Sequence, residues 1–330
     1  MKAIVLVSGG LDSCLAIKAI QNQGIKVIAL HFLIPFVKHD QRAVYDCAAR
    51  EIAKKLGCEF RYKVLAKNYL NMLKKPKHGF GKHFNPCIDC KILMLRQTKK
   101  IMKKLGASFV VTGEVLGQRP MSQHKQALQK IERESGLEGL LVRPLSALIF
   151  KPTIPQEKGW LKKELLFDIQ GRGRKRQIQL ARKWGIEDYL WPGGGCLLTD
   201  PHFCKRLKDI LKHKEYSLDD IELLKVGRHF RIGSHSKLVV GRDQKENEKL
   251  NKLAKRGDLV LEPKDLPGPT GIGRGIINER IKKICTQIIA RYTQPGKIVK
   301  VSYGKVKRNK KETILVKALS ESKVKSLMIS

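Results

Sequence analysis

The stretch Ser8-Gly9-Gly10-Leu11-Asp12-Ser13 constrains this chain most, because of what stands on either side of it. The apolar run Ala3-Ile4-Val5-Leu6-Val7 before it reads as a buried strand, and Leu15, Ala16, Ala19 and Ile20 after it fall on one face of a helix. Two glycines between strand and helix let the backbone come close to a ligand, while the helix start offers unpaired amides and the positive end of its dipole. Ser8 and Ser13 add hydroxyls. Such a turn grips phosphate. It lacks the Lys-Ser/Thr of a Walker loop and the third glycine of a dinucleotide fingerprint, so neither of those sites is implied.

The pattern downstream alternates. Lys26–Phe32 reads as a second strand, a helical pattern runs from Ala43 and Val44 to Leu56, and Phe60–Leu65, Ser108–Glu114 and Leu140–Leu145 read as three further strands. Strands alternating with helices predict an α/β domain, a parallel sheet with helices on both faces and ligands beyond the C-terminal strand ends. Between the third and fourth strands a basic loop, Lys74 to Pro86, delivers Cys87-Ile88-Asp89-Cys90 to the start of a helix. Residues 151–213 read as helical and basic and carry a second cysteine element, Trp191-Pro192-Gly193-Gly194-Gly195-Cys196. The pattern restarts near Asp220, dividing the chain into residues 1–213 and a smaller α+β domain of residues 214–330.

Charge narrows the partner. The chain carries 67 Lys and Arg against 30 Asp and Glu, a formal +37 that exceeds what solubility requires and points to a polyanion. Residues 205–330 hold 31 of the basic and 14 of the acidic side chains, so the excess is spread over both domains. Nucleic acid fits better than an anionic membrane, because no long apolar span or amphipathic anchor appears. With a core strand at the N-terminus no signal peptide is expected, and the protein is read as cytoplasmic. In that reducing compartment the eight cysteines are expected to be thiols, metal ligands or redox groups.

Several ordered blocks together carry a resemblance. Ser8 to Ser13, Met94-Leu95-Arg96, Thr112-Gly113-Glu114 with Gly117-Gln118 and Ser122-Gln123, Arg143-Pro144-Leu145, and Cys196 before Asp200-Pro201 are similar to the PP-loop domain of tRNA 4-thiouridine synthases. The resemblance implies a PP-loop (adenine nucleotide alpha hydrolase-like) fold that splits ATP into AMP and pyrophosphate to adenylylate a uridine of tRNA. Ser8, Gly9, Gly10 and Ser13 would bind pyrophosphate, and Asp12 would orient a Mg²⁺ or the reacting phosphate. His31 at the end of the second strand, with Gly113, Glu114, Gln118 and Gln123, would line the nucleotide or base pocket; ordinary loop capping is the alternative for the last three. Lys151 resembles a charge-stabilising lysine after the Arg-Pro-Leu block, with a solvated lysine as its alternative.

Cys87, Cys90 and Cys196 carry the sulfur chemistry in one of three ways. A persulfide on Cys196 could be resolved by Cys87 or Cys90. The three thiolates could hold a [4Fe-4S] cluster with one iron open to sulfide, an arrangement shown by related PP-loop tRNA thiolases. A structural zinc with His78, His83 or His202 is the third. The sulfur donor would be a cysteine desulfurase persulfide or inorganic sulfide. Cys14, Cys47, Cys58 and Cys285 lie in apolar contexts that suit core packing.

Those synthases carry an RNA-binding module before their PP-loop domain, and a chain read as opening at the first PP-loop strand is expected to depart from them there. Its second domain instead resembles the RNA-binding domain of NFACT proteins, through Val239-Val240-Gly241-Arg242-Asp243, Asn247, Pro267-Gly268 and Val299 to Gly304. Arg242 there, with Arg172, Arg174, Lys175 and Arg176 of the first domain, would neutralise tRNA phosphates. With 6% aromatic residues, recognition of shape and backbone is expected over base stacking. The rivals are a PP-loop AMP-forming ligase and a non-catalytic RNA-binding factor of ribosome-associated quality control.

Overall fold

The computed structural model of the chain describes residues 1–37, 48–187, 189, 195–213, 217–306 and 311–329; Cys47, the Ala43-Val44 pattern and Trp191 to Gly194 lie outside the described residues. Two compact units result, Met1–Thr199 and Asp200–Ser330.

In the first unit β1 (Lys2–Leu6), β2 (Lys26–Leu33), β3 (Glu59–Val64), β4 (Phe109–Thr112) and β5 (Leu141–Val142) form one parallel sheet in the order β3-β2-β1-β4-β5. The helices are α1 (Leu11–Gln21), α2 (Ala48–Lys55), α3 (Ala66–Lys74), α4 (Cys87–Leu105), α5 (Lys125–Ser135), α6 (Ile154–Glu157) and α7 (Lys175–Lys183). Strand periodicity explains the layers. Ala3, Val5, Val27, Ala29, Phe109 and Val111 join Ala16, Ile17 and Ile20 of α1 in one core. Ile4, Ile28, Leu30 and Val110, alternating with them, are equally buried, so the sheet is covered on both faces. This is the expected α/β, PP-loop architecture.

Two expectations for this unit need revision. The described residues of 151–199 are much less helical than their composition suggests, holding α6, α7 and two single 3₁₀ turns. Pro152 and Pro155, with Gly159, Gly171 and Gly185 at positive φ, break the pattern repeatedly. Conversely α3 was not anticipated. Its lysines mask a narrow stripe of two buried side chains, Tyr69 and Leu73, one turn apart.

The second unit contains α8 (Pro201–Lys212), α9 (Leu218–Leu223), β6 (Arg228–Gly233), β7 (Ser236–Val240), α10 (Gln244–Leu253), β8 (Leu259–Pro263), β9 (Gly271–Gly275), α11 (Glu279–Thr293), β10 (Ile298–Lys305), β11 (Glu312–Lys317) and α12 (Glu321–Leu327). Its strands make an antiparallel sheet in the order β11-β10-β8-β9-β7-β6. Cys285, Ile288 and Ile289 of α11 pack on Phe230, Leu238, Leu261 and Val301. The sequence places the domain junction at 213/214, whereas α8 packs with the second unit: Arg206 reaches the Gly227 carbonyl at 3.5 Å and Arg231 pairs with Asp209 at 2.5 Å. β9 falls at the end of the proline- and glycine-rich stretch from Pro263 to Gly275, a composition typical of turns. A Cβ on Gly271 would stand 2.6 Å from Ile289 Cδ1, so the glycine that reads as a turn residue is what lets α11 lie against the strand.

Candidate active site

The glycine turn leaves β1 at the centre of the parallel sheet and enters α1 through Gly10, which offers no side-chain cap. Gly9 sits at φ +84°, a conformation that favours glycine. Ser13 ties the turn together: its hydroxyl donates to the Gly10 carbonyl at 2.7 Å and accepts from the Ser8 amide at 3.3 Å. An uncapped helix start behind such a turn is an arrangement that an anion completes.

A second loop, after β4, presses against the first. A Cβ on Gly113 would lie 2.4 Å from the Asp12 carbonyl oxygen, so only glycine permits this approach. The contact carries Gln118 to Asp12, where its amide nitrogen donates to Oδ2 at 2.7 Å; the Arg174 guanidinium stands 4.0 Å from the same oxygen. Asp12 Oδ1 and Gln118 Oε1 are buried without a hydrogen-bond partner. Such orphans suit a ligand or cation that supplies the missing contacts. His31 at the end of β2 donates from Nδ1 to the Val7 carbonyl at 2.7 Å, and burial lowers its pKa, leaving a neutral ring beside the turn.

Glu114 lies beneath this surface rather than on it. Burial would raise its carboxyl, but the Lys91 ammonium at 3.3 Å, the Arg143 guanidinium at 3.3 Å and the Thr112 hydroxyl hold it below the usual range. Arg143 continues to Glu132 at 2.7 Å and to the Leu128 carbonyl at 3.1 Å. Gln123 is buried, with its backbone carbonyl accepting from Gly117. Lys151 is exposed beyond β5 and makes no polar contact with these loops among the described residues.

The cysteines converge on Tyr69, the buried residue of α3 that the sequence reading missed. Burial first, and then the nearby thiols of Cys90, Cys196 and Cys87, raise the pKa of its hydroxyl well above the phenol value. Burial pushes the Cys90 thiol up to about 11 against the opposing effects of Tyr69 and Lys91. Cys87 and Cys90 share the first turn of α4. Cys196 is brought to them through a bridge to Val37, beside Phe36, whose ring meets Tyr69 at 5.5 Å. Among the described residues no three His, Cys, Asp or Glu side chains are grouped as a single metal ion would require. Asn85 links the two halves of the site, its amide standing 3.1 Å from Cys87 Sγ and 3.5 Å from Met121 Sδ in the loop that carries Gln118.

The expected RNA contacts divide. Arg172 and Lys175 are exposed, Arg174 turns toward Asp12, and Arg176 pairs with Asp168 at 2.6 Å. Arg242 is held by Glu246 one turn into α10, which raises its pKa.

A glycine turn over the central strand of a 3-2-1-4-5 parallel sheet, abutted by a second loop from the neighbouring strand, is an α/β arrangement that suits a phosphate-bearing ligand. Residues 1–153 match the family described as thiamine biosynthesis protein (ThiI), and residues 227–328 match the NFACT protein RNA binding domain. Both resemblances expected from the sequence are thus found. The probable tRNA sulfurtransferase of Methanosarcina mazei is 31% identical over 124 residues, covering 36% of this chain and 29% of its own length. That of Thermococcus kodakarensis is 30% identical over 154 residues, covering 44% and 37%. The chain thus spans about a third of the length of these curated relatives. A solved 4-thiouridine synthetase–RNA complex with bound ATP aligns over 68% of this chain and 52% of its own at 23% identity, with a TM-score of 0.37.

Proposed function

We propose that this chain is an ATP-dependent tRNA thiouridine synthase. The observation that carries the reading is that one unit holds Cys87 and Cys90 on the first turn of α4, the Cys196 segment, and a glycine turn whose Asp12 keeps a buried oxygen without a partner. A uridine carbonyl oxygen is a poor leaving group. If it attacks the α-phosphorus of ATP, pyrophosphate departs and the oxygen becomes the bridge to AMP. A sulfur nucleophile then forms its bond to the activated carbon, and AMP leaves with the oxygen. Ser8, Gly9, Gly10 and Ser13 would hold the departing pyrophosphate, and Asp12, with its unpartnered Oδ1, would orient Mg²⁺ or the α-phosphate. Gln118 and Arg174 position Asp12 for that role, while Glu114 holds the second loop from beneath.

Cys87, Cys90 and Cys196 would hold a [4Fe-4S] cluster, and a cluster iron left without a protein ligand supplies a place to bind sulfide. The same thiols would otherwise relay a persulfide from a desulfurase; zinc is disfavoured, because no three ligating side chains are grouped among the described residues. Iron and acid-labile sulfide in anaerobically purified protein separate these readings: about four irons per chain is expected for a cubane cluster, and iron-free protein with full activity would exclude it.

The defining experiment incubates the protein with tRNA, ATP, Mg²⁺ and sulfide and follows both pyrophosphate and tRNA nucleosides. Pyrophosphate release that requires tRNA, with one uridine exchanging oxygen for sulfur by mass spectrometry, is expected. A pyrophosphate-forming reaction without sulfur incorporation would favour the ligase, and RNA binding without ATP turnover would favour the quality-control factor.

A further inference from the structure

The loop between α3 and α4 carries Lys75-Pro76-Lys77-His78-Gly79-Phe80-Gly81-Lys82-His83-Phe84 and has no part in the chemistry above. It contains an arrangement that the low aromatic content of the chain does not suggest. Phe80 and Phe84 stack with ring centroids 4.2 Å apart and planes within 15°, yet Phe80 is 39% exposed. Full burial of a phenylalanine is worth about 1.5–3 kcal/mol, and Phe80, fixed in a parallel stack, forgoes part of it.

The mount is built. The Asp89 carboxylate accepts the amides of Lys77 and His78 at 3.0 Å each, Gly81 donates to the Asn85 carbonyl at 2.9 Å, and Phe84 donates from its backbone to the Leu198 carbonyl at 3.2 Å. A Cβ on Gly81 would meet the Asn85 amide at 2.6 Å and Met121 Sδ at 2.7 Å, so the turn beneath Phe80 leaves no room for a side chain. Asn85, next after Phe84, is the residue that contacts Cys87. The stack therefore stands beside the thiols, with Lys75 and Lys82 exposed on the same loop.

A flat aromatic face among cations fits a flat π-system attached to anions. We propose that Phe80, backed by Phe84, is a stacking platform for an unpaired nucleobase of the RNA substrate, held beside the cysteine site. Stacking reads no particular base but fixes the plane of one drawn out of its helix, which is what attack at a ring carbon requires. The inference rests on the RNA-thiolation reading above, and its test separates the two.

The test compares F80A, F80L and F80W in the full chain, measuring tRNA affinity, tRNA-dependent pyrophosphate release and the KM for ATP. F80L preserves an apolar side chain without the π-face. We expect F80A and F80L to weaken tRNA binding about 5- to 100-fold, with the KM for ATP unchanged and F80W close to wild type. RNA should also quench the F80W indole beyond any change from the three native tryptophans. F80L with wild-type tRNA affinity, or F80W unquenched by saturating RNA, overturns the platform. Absence of tRNA-dependent pyrophosphate release from the wild type overturns the thiolation reading instead, while the quenching measurement still decides the platform.

Discussion

At the scale of single residues, Asp12 and Arg143 stand in contrast. Asp12 has one oxygen satisfied by Gln118 and one left without a partner, so its second oxygen is available for a cation or phosphate. Asp12→Asn removes that charge while retaining the shape. The expected result is a loss of at least about 100-fold in tRNA-dependent AMP formation, measured alongside an unchanged tRNA affinity by filter binding. Arg143 is structural by contrast. It is 5% exposed and neutralises Glu114 from beneath, and removing one partner of a buried pair leaves the other uncompensated. Arg143→Met should cost about 3–5 kcal/mol in urea unfolding.

At the scale of elements, the second unit is held by a charge network that no single element contains. Arg274 of β9 pairs with Asp258 at 2.7 Å and with Asp220 of α9 at 2.9 Å, and Lys237 of β7 stands 3.7 Å from the same Asp220. Burial would raise the Asp220 carboxyl; the Ser217 hydroxyl, Lys237 and Arg274 outweigh it and hold it at about 2. Its folded pKa is below the unfolded carboxyl value near about 3.9. The stabilisation is therefore fully present above about pH 4 and is lost as pH falls through 2. Unfolding of the second unit by denaturant should show its midpoint falling between pH 5 and pH 2 in the native sequence and falling less in Asp220→Asn. The glycines of β9 act at the same scale. Gly271→Ala forces Ile289 of α11 to move and should destabilise by about 1–3 kcal/mol, visible as a lowered melting temperature.

At the scale of the whole molecule, charge governs association. A formal +37 distributed over both units predicts that RNA binding is dominated by counterion release. If six to ten phosphates are neutralised, affinity should fall about 10³- to 10⁵-fold between 50 and 200 mM salt. A slope near zero would mean that the lysines are a solvated surface. No helix among the described residues is long and apolar enough to cross a membrane.

The sequence by itself determined the parallel sheet and the glycine turn, because an apolar run followed by glycines and a one-faced helix is a local pattern with few physical solutions. Cys87 and Cys90 were legible for the same reason, their spacing being one helical turn. Glu114 and Arg143 stand in two separate blocks of the sequence, and only packing shows that they meet and that their charges are spent inside the fold. Tyr69 and Phe80 could not be recognised in advance. Tyr69 is an isolated aromatic in a lysine-rich stretch and Phe80 one of two phenylalanines in a basic loop, and what surrounds each is decided by the fold: burial near the thiols in one case, a stacked ring in the other. β9 was hidden by its own glycines, which signal a turn locally and a close helix contact globally. Periodicity and turn chemistry are properties of neighbours in the chain; burial, orphaned polar atoms and stacked rings are properties of neighbours in space.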